Sequence, residues 1–270
     1  MYERPTRYID VYNRGQTPFD FSVRAAEPWV VITPSSGRVE TQLRLAVSID
    51  WERVPNGRHR VPITLEGPGT AGVGTGPRVI QAVVNNPTSP KPAAVAGFVE
   101  GDGVVSMEAE HYTRAAANAP TRWQRIPNFG RTLSGVTATP VSMQSQQTGA
   151  TSARLEYRVF MFDSGTVNVK TYLSPTLNFT GSKEGLRYAI SFDDEPPQIV
   201  NTTADQSNGA WEKSVADYIK IFATRHTLGR PGQHVLKFWL VDPAVVLQKI
   251  VIDAGGERPS YLGPPESYRR

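Results

Sequence analysis

Between Leu155 and Phe162 the apolar side chains fall on every second position, with Leu155, Tyr157, Val159 and Met161 alternating with Glu156, Arg158, Phe160 and Phe162. A period of two sends successive side chains to opposite faces of an extended chain, so this segment predicts a strand with one face on a core. The pattern recurs: Val167, Val169 and Thr171 against Asn168, Lys170 and Tyr172, then Leu186, Tyr188, Ile190 and Phe192, then Leu236, Phe238 and Leu240 against Lys237, Trp239 and Val241. About eight or nine such strands in roughly 170 residues predict a jelly-roll β-sandwich.

The first third repeats the pattern on a smaller scale. Tyr8–Tyr12, Phe19–Val23, Val30–Ile32, Leu43–Ile49, Val61–Leu65 and Val79–Val84 are β-branched or alternating, and each is bounded by Gly, Pro, Asn or Ser. About six or seven short strands at this spacing predict an immunoglobulin-like sandwich. Between the two regions, Asn85-Asn-Pro-Thr-Ser-Pro-Lys-Pro92 holds three prolines, which cannot complete a sheet ladder. The expected organisation is all-β: an immunoglobulin-like sandwich over 1–86, a proline-rich linker over 87–96 and a jelly roll over 97–270. Gly67–Gly76 is glycine-rich, but no Gly-Lys-Ser/Thr follows, so it predicts a hairpin loop rather than a phosphate cradle.

Charge excludes one class of partner. The net charge is +4, yet no basic stripe or arginine-rich tail accompanies it, so no nucleic-acid footprint is expected. No apolar run approaches the ~18 residues of a membrane span, and no signal-peptide pattern opens the chain. The chain has no cysteine, so stability must come from packing.

Few residues have the spacing that chemistry requires. His59, His111, His226 and His234 form no zinc pattern, and no Gly-x-Ser-x-Gly elbow occurs. Asp193-Asp-Glu195 is the densest carboxylate cluster, but Pro196-Pro197 marks a turn, where such acids are expected to be solvated rather than held across a glycosidase cleft. Glu108 and Glu110 lie two apart on an expected strand, and so on one face, where they need either a cation such as calcium or basic partners. Tyr172 and Trp239 fall on non-core faces among Arg158, Lys170, Arg187 and Lys237. Aromatic rings with arginine beside them suit a uronic-acid-bearing polysaccharide; the alternative is that they are buried or cover the surface. Trp29, beside a turn, is expected in the core.

Three longer stretches carry a resemblance. Tyr172–Gly181, Leu186–Pro197 and Val241–Asp253, followed by Tyr261-Leu-Gly-Pro-Pro-Glu-Ser267, resemble the C-terminal end of glycoside hydrolase family 115, the xylan α-1,2-glucuronidases. Val104–His111, Asn208–Lys213, Pro231–Lys237 and the strand ending at Ile252 resemble, in order, strands of carbohydrate-binding modules of families 6 and 35. Trp29–Gly37 followed by Val47–Trp51 resembles the BACON type of immunoglobulin-like domain. The module resemblance implies a structural calcium held by Glu108 and Glu110, with Gln248 at the last-strand position where those modules carry an acid. The sugar cleft of family 6 maps onto Ser214-Val215 and Val245-Val246, which lack its aromatic ring and asparagine.

The family resemblance implies a non-catalytic accessory region of a secreted or periplasmic bacterial enzyme. Its partners would be xylan or glucuronoxylan and the parent's catalytic domains, with stabilisation or homodimerisation as further roles. The alternatives are a free-standing carbohydrate-binding protein and an enzyme whose site the sequence does not reveal. Carbohydrate contact is expected at Tyr172, Trp239, Arg187, Lys237 and Arg158.

Overall fold

The computed structural model describes residues 7–67, 77–91 and 94–270, in two compact units, Met1–Ala94 and Val95–Arg270. The division lies just past the last proline of the Asn85–Pro92 stretch. Positions 68–76 of the glycine-rich segment lie outside the described residues.

The first unit is an immunoglobulin-like sandwich. One sheet runs β1 (Arg7–Tyr12), β5 (Gln42–Ile49), β3 (Val30–Thr33); the other runs β4 (Ser36–Val39), β2 (Phe19–Ala25), β6 (Gly57–Glu66), β7 (Arg78–Asn86). The alternate residues Phe21 and Val23, Leu45 and Val47, and Val61 and Ile63 meet between the sheets as a core. Trp29 belongs to that core, edge-on to the His59 ring at 5.6 Å, as expected for a tryptophan beside a turn.

The second unit packs two six-stranded sheets face to face. One runs β10 (Arg114–Ala116), β13 (Arg154–Met161), β18 (Gly232–Leu240), β15 (Arg187–Phe192), β16 (Gln198–Asn201), with β8 (Phe98–Val99) parallel to β13. The other runs β11 (Arg122–Pro127), β12 (Ser134–Thr139), β19 (Leu247–Asp253), β14 (Gly165–Leu173), β17 (Lys220–Leu228), with β9 (Val104–Glu108) on β19. The strands number more than alternation predicts because β8, β10 and β16 are too short to show a period. The faces read from alternation are the observed ones: Leu155, Tyr157, Val159, Met161, Tyr188, Ile190, Leu236 and Phe238 line a single apolar layer.

One segment departs from expectation. Asn208–Lys213, expected to continue the strand order, lies in helix α1 (Asn208–Asp217). The Ser207 hydroxyl accepts from the Ala210 N–H at 3.3 Å as N-cap, and Lys213 pairs with Asp217 four residues on at 2.8 Å. The helix ends at Tyr218, whose φ of 55° is left-handed, a position usually given to glycine.

Phe238 is buried at the centre of the apolar layer, stacked on Tyr188 at 5.1 Å and edge-on to Trp123 at 6.4 Å. Phe238→Ala should destabilise the second unit by about 3–5 kcal/mol, read as a lower urea midpoint for that unit.

Candidate functional site

The two aromatic residues expected to form a platform do not share a face. Tyr172 is on β14 and Trp239 on β18, so they belong to different sheets, and each points away from the common core. Both are covered, at 4% and 6% exposure. Tyr172 packs with Ile219 and Val251 beneath the chain at Gly263, and burial, with Glu257 beside it, pushes its phenol up to about 12. The Arg154 guanidinium lies 4.9 Å from the Trp239 ring centre and Lys237 Nζ 5.9 Å from it, while the indole N–H donates to Ser191 Oγ at 2.9 Å. Rings covered in this way cannot stack on a sugar, which corrects the expected platform. Alternation showed which side these residues take but not what lies over it.

The charged partners divide similarly. Arg187 Nε donates to Asp242 Oδ2 at 2.8 Å, as does its own main-chain N–H, and the guanidinium also pairs with Glu184. Lys237 donates to the Asp193 carbonyl and lies 3.7 Å from Asp194. Arg158 is exposed on the outer side of β13.

The set expected to bind calcium is also dispersed. β9 ends at Glu108 and Ala109–His111 forms a 3₁₀ turn, so Glu108 and Glu110 do not alternate along one strand. Glu108 Oε1 lies 3.0 Å from Lys249 Nζ, and Oε2 accepts from Thr132 Oγ1 at 2.6 Å. Glu110 Oε2 accepts from Arg125 at 2.8 Å. Gln248 Oε1 accepts the Arg131 N–H at 3.1 Å, and its amide group donates to Ser174 Oγ at 2.9 Å and the Tyr218 carbonyl at 3.3 Å. Among the described residues no three His, Cys, Asp or Glu side chains converge on a point that could hold a metal ion. Calcium bonded to Glu108 would lie ~2.4 Å from its oxygen and so beside an ammonium of like sign, so the residues present do not fit that ion.

Of the carboxylates in the Asp193–Glu195 turn, only Asp194 is fully solvated as expected, with Lys237 3.7 Å away. Asp193 Oδ2 bonds Nδ1 of the buried His234 at 2.7 Å, and Glu195 bonds Nδ1 of the buried His226. Both imidazoles meet the Phe192 ring edge-on, at 6.3 and 5.3 Å. The two outer acids of the turn therefore fasten histidines inside the sandwich.

Phe179 apart, the exposed phenylalanine and tyrosine rings of the second unit among the described residues lie on three other loops, none of which the sequence marked as a contact site. Phe129 and Arg131 lie between β11 and β12, Tyr218 follows α1, and Tyr261 follows β19. Arg131 ties these loops together. Its Nε donates to the Asp217 carbonyl at 2.8 Å, one terminal nitrogen donates to the Tyr261 carbonyl at 2.5 Å, and its guanidinium stacks on the Tyr261 ring at 4.0 Å. Gln248 adds the link from the Arg131 N–H to Tyr218. Gly130, at φ 90°, lets Gln248 in, because a Cβ there would fall 2.3 Å from Oε1. Tyr218 and Tyr261 remain 71% and 63% exposed, and Phe129 and Leu262, neighbours in sequence of Gly130 and Tyr261, are exposed too. Aromatic rings standing in water on interlocked loops can stack on flat apolar faces of a ligand. A cue was the run Asn128-Phe-Gly-Arg131, an aromatic and an arginine around a glycine between two strands.

The model for the glycosyl hydrolase family 115 C-terminal domain matches residues 97–266. The chain belongs to that family. Its match spans the second unit from just before β8 to Glu266. None of the curated proteins compared matches the chain. Among solved structures, it is similar to a family GH115 4-O-methyl-α-glucuronidase with specificity for decorated arabinogalactans, at 15% identity and a TM-score of 0.44, over 63% of this chain and 19% of that one. It is also similar to a family 35 carbohydrate-binding module from Clostridium thermocellum, at 17% identity and a TM-score of 0.38, over 55% of this chain and 98% of that one. A β-(1,4)-mannanase of Podospora anserina with such a module shares 14% identity at a TM-score of 0.39, over 59% and 29% of the two chains. The chain thus spans about a fifth of the length of the α-glucuronidase it resembles.

Within this family 115 C-terminal domain, the Arg187–Asp242 pair joins β15 to the segment after β18. Burial pushes the Asp242 carboxyl up, but hydrogen bonds from Arg187 and Ser145 outweigh it and hold it below its ordinary 3.8. A carboxyl whose pKa is lowered by folding stabilises the fold above its unfolded value and stops doing so as pH falls through the folded one. Asp242→Asn should therefore cost stability at pH 7, and the gap to the parent protein should narrow as pH drops below 3.8, measured as urea midpoints across that range.

Proposed function

We propose that this chain is the non-catalytic accessory region of a secreted bacterial glycoside hydrolase of family 115, and that it contacts xylan or glucuronoxylan through the Phe129–Tyr218–Tyr261 loop cluster. The observation that carries the reading is Arg131, which fastens three loops and leaves two tyrosines standing in water beside it. Such rings match the repeating pyranose faces of a polysaccharide, and loops already held by hydrogen bonds lose little freedom on binding. The parent's catalytic domains are the expected covalent partner, and membership of the C-terminal-domain family supports that placement. A non-catalytic role is supported by the Asp193–Glu195 turn, where two of the three acids hold buried histidines rather than flank a cleft.

Affinity electrophoresis tests the contact. The chain should be retarded by glucuronoxylan, and Tyr218→Ala or Tyr261→Ala should each weaken retardation about five-fold, the loss of one stacking contact of ~1 kcal/mol. Trp239→Ala, which touches no exposed surface, should change folding stability instead. Equal migration of the parent protein with and without xylan would sink the reading. Incubated alone with glucuronoxylan, the chain should release no glucuronic acid above a buffer blank; release that Asp193→Asn abolishes would make it an enzyme.

A further inference from the structure

An oxygen cradle on the outer side of β19 holds an ammonium. Lys249 Nζ lies 3.0 Å from Glu108 Oε1, 3.0 Å from the Pro264 carbonyl and 3.4 Å from the Leu262 carbonyl. A lysine ammonium has three N–H donors and no acceptor, so one carboxylate and two carbonyls saturate it. Hard oxygens of these same kinds are what a calcium ion takes. The site is dry, with only 4% of the lysine side chain and 8% of the glutamate exposed. Thr132 Oγ1 closes the second carboxylate oxygen, and the Pro264 carbonyl is shared with Ser106 Oγ at 3.0 Å. The ammonium therefore joins β9, β19 and the segment Leu262–Pro264 at one point.

We propose that Lys249 is a built-in cation that takes the structural place of a divalent metal, so that the second unit folds and keeps its C-terminal segment closed without one. A charge carried on the chain has no translational freedom to lose on docking, and no chelator removes it. Its removal alone leaves the Glu108 carboxylate buried and unpaired, which is strongly destabilising, whereas replacing both partners of a buried pair by neutral groups often costs little. The inference rests on these contacts and not on the sugar-binding reading.

Thermal melting of the full chain tests it, in EDTA and in millimolar calcium chloride, for the parent protein, Lys249→Met and the double variant Glu108→Gln/Lys249→Met. The parent should melt at one temperature in both buffers and carry no stoichiometric metal by elemental analysis. Lys249→Met should lower the transition of the second unit by about 10 °C, the order expected for one broken buried pair in a domain of this length. The double variant should recover at least half of that loss. A parent transition lowered by EDTA, or one bound calcium per chain, overturns the proposal. So does Lys249→Met melting as the parent does. Should Lys249→Met fail to fold, the double variant must still fold, and its failure overturns the proposal too.

Discussion

Strand β19 has no wet side, and most of the second unit is arranged around that condition. Leu247, Ile250 and Ile252 enter the apolar layer, while Gln248, Lys249 and Val251 face the other way and are equally buried. A strand covered on both faces must find a partner for each polar group it carries, because an unpaired buried amide or ammonium costs several kcal/mol. The C-terminal segment supplies cover and part of the partners, while Gln248 is met by Arg131, Ser174 and Tyr218 and Lys249 also by Glu108. Its carbonyls at Leu262 and Pro264 receive Lys249, Ser267 bonds the Ser106 N–H, and Gly263 passes close over the Tyr172 hydroxyl. Tyr172, Lys249 and the exposed Tyr261 are thereby consequences of one arrangement.

The inner faces of the sandwiches were legible because a period of two is a local property. Leu155 to Met161 or Leu186 to Phe192 state their buried side with no reference to the rest of the chain. The outer faces were not legible, because exposure there depends on what is laid over them from far along the sequence. Tyr172 is covered by residues around 263, and Trp239 by side chains of β13 and β18. The glutamate pair failed for a different reason. Alternation from Glu108 to Glu110 required the strand to continue, and it turns into a 3₁₀ helix at Ala109. Helix α1 was hidden among strands because its signals, a serine cap and an i,i+4 ion pair, are weaker than the neighbouring periodicity.

Gln248 and Lys249 show how adjacent residues on one strand serve separate regions. A register shift against β14 lies at this point, between Tyr172 and Leu173, and it leaves Gln248 unpaired in that ladder. The bulged side chain reaches Arg131 and Tyr218 in the loop cluster, while Lys249 reaches Glu108 on β9. A strand in perfect register would have kept the Gln248 backbone in the ladder, with less freedom to aim its amide at the loops.

Tyr218 is in a backbone conformation that suits glycine, at a φ of 55°, with its ring held out in water. A side chain in the left-handed region costs about 1–2 kcal/mol, and an exposed ring recovers little of that by burial. The fold would be firmer with glycine at this helix end and would lose one of its few free aromatic surfaces. If the proposed polysaccharide contact holds, the tyrosine is a place where the chain gives up rigidity to keep a ring in water. Variants selected only for heat resistance should drift there first, becoming sturdier proteins with less grip.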